Sequence, residues 1–482
     1  MAEPGIERRA ARMTAVASAR QVLALPLGLL SAITIARLYA PADLGRFGIL
    51  SFVVTIPAMI GDLGLTQAFV RDKADPAPDS VALAASLQLW IAVLAFPIIA
   101  LAAGAEVHGL PSWLLLAAVL YLPTLLGAFA LRANVLVQRR LDFARLALLD
   151  LVQQIAYITL LASLGFARAG VAGLVIATAA TQAGRLVVLA LWYPVRPRLV
   201  PRLGPLRAVV RSGLPLHLTG ILSGFHAGMV NWLGMPLFGP VGVGYLRWSL
   251  DMTTRAGIGL AHAIGQVIFP TVALIQEDAA RLGRVLARAV RYNALLIGFP
   301  LALLAGLATP MIIALFGGRW LPATLALQIF ALHMTAGAVL IPLDAAVRVV
   351  RPAMWTLAIM VAYLAVEVAL AVGLARPLGI IAIPVAHLSA TVPLIVLLRS
   401  LLPAPARPAW WLNVLLPLAA LAAAFAASHW LAAILTPWPA LFAGCAAGAI
   451  AAAAVVFLLG RRTIWPDLMR DLRHLAPAAS PA

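Results

Sequence analysis

Hydrophobic stretches long enough to cross a bilayer fill this chain from about residue 14 to residue 460, and arginines collect in every second gap between them. A spanning helix needs roughly twenty predominantly apolar residues. About fourteen stretches qualify, near 14–38, 45–70, 80–104, 112–133, 146–164, 169–192, 211–238, 243–270, 290–315, 321–343, 353–374, 378–400, 410–433 and 437–460. One set of gaps carries Arg132, Arg139, Arg140 and Arg145, then Arg196, Arg198, Arg202 and Arg207, then Arg281, Arg284 and Arg288, then Arg348 and Arg351. Arg8, Arg9 and Arg12 at the amino terminus and Arg461, Arg462, Arg470 and Arg473 in the tail fall on the same side. The opposite gaps hold Arg37, Arg46, Arg168, Arg319 and Arg376. Basic loops stay in the cytoplasm, so both termini are expected there.

Composition agrees with this map. Of 482 residues, 63% are apolar and 11% are charged, and the mean hydropathy is +1.01. A soluble domain of that make-up has too little polar surface to cover itself. The net charge of +18 comes almost wholly from arginine, Lys73 being the single lysine. Because the basic loops adjoin spans, their charge is read as topology and attraction to anionic lipid headgroups, and no nucleic-acid partner is expected. The one cysteine, Cys445, lies in the last span and cannot form an intramolecular disulfide. No Cys/His cluster has metal-ligand spacing, so neither metal nor cofactor is expected. The first apolar stretch is too long for a signal-peptide core and reads as a retained span.

The chain repeats itself. Leu38-Tyr-Ala-Pro41 followed by Gly45 lines up with Leu237-Phe-Gly-Pro240 followed by Gly244, and the same register sets Gln67 on Gln266. Phe96-Pro97 lines up with Phe299-Pro300, and Arg139 with Arg351. Six spans is an even number, so both halves start on the same side and the repeat is parallel, which puts a transport site between the halves. The expected organisation is an all-α polytopic membrane protein with an amino-terminal lobe of six spans (1–192), a Pro/Arg-rich cytoplasmic linker (193–210), a second six-span lobe (211–400), and a final helix pair with a tail (401–482).

Ionisable residues inside a bilayer are costly and usually face a cavity or a partner. The eighth span carries Arg247, Asp251, Arg255, His262 and Gln266, and on a helical wheel these fall within an arc of roughly 100°. Asp251 lies four residues from each arginine and can pair with either, leaving one positive charge over. The first span adds Arg20, and the second holds Asp62 and Gln67. The implied cavity is cationic. It suits an anionic headgroup, because guanidinium binds desolvated phosphate with paired, charge-assisted hydrogen bonds. The predicted substrate-binding set is therefore Arg20, Arg255, Arg247, Asp251, His262, Gln266 and Gln67. Asp62, Glu367 and Asp344 are the candidates for ion coupling.

Several stretches resemble a known family. These are IARLYAPADLGRFGIL at 35–50, GDLGLTQAFVRD at 61–72, RSGLPL at 211–216, AIGQVIFPTVALIQED at 263–278 and TPMIIALFGGRWLPATLALQIFAL at 309–332. Together they look like the bacterial polysaccharide flippases of the MOP superfamily. The resemblance implies a MATE-like fold and ion-driven movement of polyprenyl-pyrophosphate-linked oligosaccharide across the inner membrane, for lipopolysaccharide, capsule or exopolysaccharide assembly. It also implies cavity arginines at Arg20 and Arg255, a monomer among membrane lipids, and contact with glycan polymerase machinery. Three rivals differ in chemistry. A drug/cation antiporter wants an acidic cavity, and a peptidoglycan-precursor flippase fits the quoted stretches less well. A polytopic glycan polymerase or ligase wants a large exterior loop, and these gaps are short. A transporter, not an enzyme, is expected.

Overall fold

The computed structural model describes residues 26–61, 69, 78–105, 110–140, 143–196 and 207–461, and these are almost wholly helical. A chain in hydrocarbon must satisfy its backbone polar groups within itself, and consecutive apolar residues do so by coiling. The long helices are α1 (Pro26–Leu38), α2 (Pro41–Gly61), α3 (Pro78–Ala105), α4 (Leu110–Arg140), α5 (Phe143–Phe166), α6 (Gly170–Trp192), α7 (Arg207–Ala227), α8 (Gly234–Ile275), α9 (Ala279–Gly306), α10 (Thr324–Val350), α11 (Ala353–Leu378), α12 (Ala382–Leu401), α13 (Leu416–Ile434) and α14 (Pro437–Gly460). Helix therefore occupies part or all of each of the fourteen stretches read from hydropathy. Among the described residues, ten segments meet the length and hydropathy needed to cross a membrane, and one of these, Met354–Leu401, takes in nearly all of α11 and the whole of α12.

Two boundaries differ from the hydropathy reading. The seventh stretch, read as 211–238, is interrupted: α7 stops at Ala227, a short turn covers Met229–Trp232, and α8 then begins at Gly234. The ninth, read as 290–315, starts earlier, because Asp278 caps α9 by accepting the Arg281 backbone N–H at 2.9 Å. Arg281, Arg284 and Arg288 thus lie on the first turns of a helix rather than in a loop. Other arginines donate to main-chain carbonyls at or just past the ends of helices. Arg132 donates to the Pro194 carbonyl at 3.0 Å, and Arg351 donates twice to the Leu401 carbonyl, at 3.1 and 2.8 Å.

The chain divides into two compact units. One runs to Arg247 and includes Ala353–Leu364; the other comprises Trp248–Pro352 and the chain from Ala365 onward. Within the first unit, α2 packs against α3, α4, α6 and α7. Pro41 begins α2, where a missing N–H is harmless, and Asp43 accepts the Ala40 N–H at 3.1 Å, half of a capping box. The two repeat motifs meet face to face. A Cβ on Gly45 would strike the Pro240 carbonyl, and one on Gly244 would strike the Pro41 carbonyl. Each glycine lets the other motif's backbone approach, so the sequence repeat is also a reciprocal packing contact. Gly239, at φ 65, breaks the helical path immediately before Pro240.

Within the second unit, α9 packs against α10 and α13, α10 against α12, and α13 against α14. The last pair meets through small residues: a Cβ at Gly448 would approach the Ala424 carbonyl to 3.1 Å. Such contacts replace a hydrophobic driving force that lipid cannot supply. Trp248, Trp320 and Phe316 form a separate buried knot, with Trp248 ring centroids 5.2 Å from Trp320 and 5.0 Å from Phe316.

Candidate functional site

The predicted eighth-span stripe is partly visible. Arg247, Asp251 and Arg255 occupy successive turns of α8. Arg247 donates to Asn231 Oδ1 at 3.3 Å. Asn231 is buried, and a Cβ on Gly48 would collide with its carboxamide. The Arg247 side chain is therefore held inward on the Met229–Trp232 turn and a bare patch of α2. Asp251 is half-buried and Arg255 is exposed. The backbone at His262 and Gln266 continues the same helix, but their side chains lie outside the described residues, as do Arg20, Asp62 and Gln67 entirely.

The coupling candidates separate sharply. Asp344 pairs with Arg348 one turn along α10 at 2.7 Å, with both side chains about two-fifths exposed at 39% and 42%. Glu367 is sealed, at 0% exposure. Its Oε1 lies 2.8 Å from His387 Nδ1, which is also buried. The His387 ring stacks on His333 at 5.1 Å between centroids and 22° between planes. Thr391 Oγ1 then lies 3.1 Å from His333 Nδ1 and donates to the His387 carbonyl at 2.7 Å. One carboxylate, two imidazoles and one hydroxyl thus form a continuous buried network across α10, α11 and α12. Imidazole is the side chain that changes charge near neutrality, and a carboxylate beside it supplies either a salt bridge or a hydrogen-bond acceptor. Such a network can hold a proton in hydrocarbon without leaving a bare charge. Sequence reading singled out Glu367 but missed His333, His387 and Thr391. Their four-residue spacing on α12, His387 to Thr391, was the one available signal.

A second polar group, also missed, lies between α5 and α6: Asp150 accepts from Arg185 Nε at 3.0 Å beside Gln153, Gln154 and Gln182.

Residues 34–325 match the family of polysaccharide biosynthesis proteins. An uncharacterized membrane protein in the cps region of Klebsiella pneumoniae is 22% identical over 326 residues, 64% of this chain and 64% of that protein. The chain thus spans just under two thirds of that relative's length. Among solved structures, the lipid II flippase MurJ in an inward closed conformation superposes with a TM-score of 0.70 at 13% identity, over 93% of this chain and 99% of that one. An inward-facing multidrug resistance MATE family transporter of the MOP superfamily follows at 0.56 and 18% identity, over 78% and 94%. These likenesses give the fold, and the family match covers more than half of the sequence. The chain belongs to the polysaccharide biosynthesis protein family.

Proposed function

We propose that this protein is an ion-coupled flippase that carries a polyprenyl-pyrophosphate-linked oligosaccharide across the bacterial inner membrane for lipopolysaccharide or exopolysaccharide assembly. The observation that carries this reading is the family match over residues 34–325 on a chain with a flippase-like fold. The basic intramembrane residues support it. Arg255, exposed on α8, binds the pyrophosphate together with Arg20, and Asp251 tunes the guanidinium. The polyprenyl tail stays in lipid, and polymerase machinery receives the product on the far side. The protein works as a monomer by alternating access.

Arg255 tests the headgroup role. Arg255→Ala is expected to lose glycan export at normal membrane levels, and Arg255→Lys to restore it only in part, because lysine lacks the paired donor geometry. If the double change Arg255→Ala with Asp251→Ala regains export, Arg255 merely neutralises Asp251 and the headgroup role is wrong.

Glu367 is the proton carrier in this reading, because its network with His387 and His333 is buried and charge-capable. Glu367→Gln is expected to remove gradient-driven transport while leaving the protein inserted. Topology follows the arginine alternation: a reporter fused after residue 204 should behave as cytoplasmic and one after residue 242 as periplasmic. The opposite behaviour at either point overturns the map.

A further inference from the structure

The polar group between α5 and α6 has no part in the headgroup or the coupling role, and its chemistry differs from both. On α5, Asp150, Gln153, Gln154 and Tyr157 follow the spacing i, i+3, i+4, i+7, which places them on one helix face. On α6, Thr178, Gln182 and Arg185 do the same at i, i+4, i+7. The Arg185–Asp150 bond at 3.0 Å ties the two faces together, with side chains 24% and 20% exposed. Between them opens a cleft of about 510 Å³ lined by Asp150, Gln153, Gln154, Gln182, Arg185 and Leu186. That volume falls within the roughly 300–1,000 Å³ of small-molecule sites.

Three features select the ligand. First, the single cation is matched by the single anion beside it, so the cleft has no net charge with which to attract a phosphate or a metal ion. Second, the other polar groups are carboxamides. Each offers two donors and two acceptor lone pairs in one plane, a match for neighbouring hydroxyls that both donate and accept. None of the three carboxamides is hydrogen-bonded to another described residue. Third, Leu186 gives the cleft an apolar side, which suits the C–H face of a sugar ring. The neighbouring face of α5 presents Leu148, Val152 and Ile155, each more than half exposed at 65%, 55% and 54%. A polar recess in such a surface is costly in hydrocarbon unless it meets hydrogen-bonding groups.

We propose that this cleft is a neutral subsite for a pyranose of the glycan, separate from the residues that take the pyrophosphate. This rests on the flippase reading for its biological meaning, but not for its chemistry. The Arg185–Asp150 pair acts as a brace that holds α5 and α6 apart by a fixed distance. Gln153, Gln154 and Gln182 contact the sugar hydroxyls.

Binding is tested on the full chain in nanodiscs, by saturation-transfer NMR with free glucose, galactose, N-acetylglucosamine and rhamnose as probes. At least one sugar should show transfer, and the double variant Gln154→Leu with Gln182→Leu should weaken its binding by about tenfold or more, the loss of one or two hydrogen bonds. Arg255→Ala should leave sugar binding unchanged. Because both glutamines lie on half-buried or exposed faces, unaltered thermal unfolding is expected, and Gln154→Asn provides a second variant that keeps the carboxamide but shortens its reach. No transfer from any of the four sugars overturns the proposal, as does transfer that survives the double variant. Glycerophosphoethanolamine and glycerophosphoglycerol form the competing arm: if they displace the sugar or bind in its place, the cleft holds a lipid headgroup and the proposal fails. Failure of the flippase reading looks different, with export indifferent to Arg255 while sugar binding persists.

Discussion

The α11–α12 network and the α5–α6 cleft are both polar insertions into apolar helices, yet they solve opposite problems. Around Glu367 every polar atom named here has a partner and almost no surface: Glu367, His387 and Thr391 are 0%, 3% and 0% exposed. Around Asp150 one pair is tied, and the three carboxamides have no hydrogen bond to another described residue. A closed network in a low-dielectric interior strengthens its own hydrogen bonds and excludes larger ligands. An open one is left with hydrogen-bonding capacity that something else must meet. The comparison teaches that burial, more than residue type, separates a site that stores charge from a site that recognises shape.

The largest expected effect breaks the sealed side. Glu367→Leu leaves His387 facing an apolar neighbour, and removing one partner of a buried pair costs about 3–5 kcal/mol. Glu367→Gln keeps a hydrogen bond and should cost only about 1 kcal/mol. Thermal unfolding in detergent compares the two. A gap of less than about 1 kcal/mol would mean that the pair carries no charge and that the network is ordinary packing. Next comes His333→Phe, which retains a ring against His387 but removes the Thr391 contact. It should destabilise by about 1 kcal/mol, the net value of one hydrogen bond, and reduce export more than it reduces stability.

The open side should respond less. Arg185→Ala and Asp150→Ala are each expected to cost about 0.5–1 kcal/mol, because the partner left behind still opens onto a cleft of hydrogen-bonding carboxamides. A double-mutant cycle on the same unfolding transition should return a coupling of about 1 kcal/mol or less. A coupling several times larger would make the pair a buried strut, and the cleft would then belong with the sealed class.

How much of this was legible follows from range. Fourteen helical stretches could be read because a span is a local property, set by some twenty consecutive residues. The Pro41/Gly45 and Pro240/Gly244 motifs could be aligned for the same reason, but not their mutual contact, which depends on where the chain returns. Hydropathy also placed the start of the ninth span about three turns late, since it reads Arg281, Arg284 and Arg288 as polar gap while Asp278 caps a helix running through them. The partners of Glu367 were hidden by separation. His387 is 20 residues away and Thr391 meets His333 across 58. Asp150 and Arg185, 35 residues apart, lay in plain view on helix-face spacings, yet one acid among glutamines carries little weight until its partner is seen.

The smallest effect is also the one that most sharpens the comparison. Asp344 stands with Glu367 as a coupling candidate by sequence, but it pairs with Arg348 on its own helix, two-fifths exposed. An i,i+4 pair of that kind contributes about 0.3–0.5 kcal/mol. Arg348→Ala should therefore shift unfolding only slightly. If sealing is what fits a carboxylate to hold a transported proton, Asp344→Asn should leave gradient-driven export within about twofold of the parent, a change worth less than 1 kcal/mol, while Glu367→Gln removes it. The two amide variants measured side by side in the same vesicles decide the matter. Export lost in Asp344→Asn and kept in Glu367→Gln would assign coupling to the exposed carboxylate. The sealed network would then be a structural clamp between α10, α11 and α12.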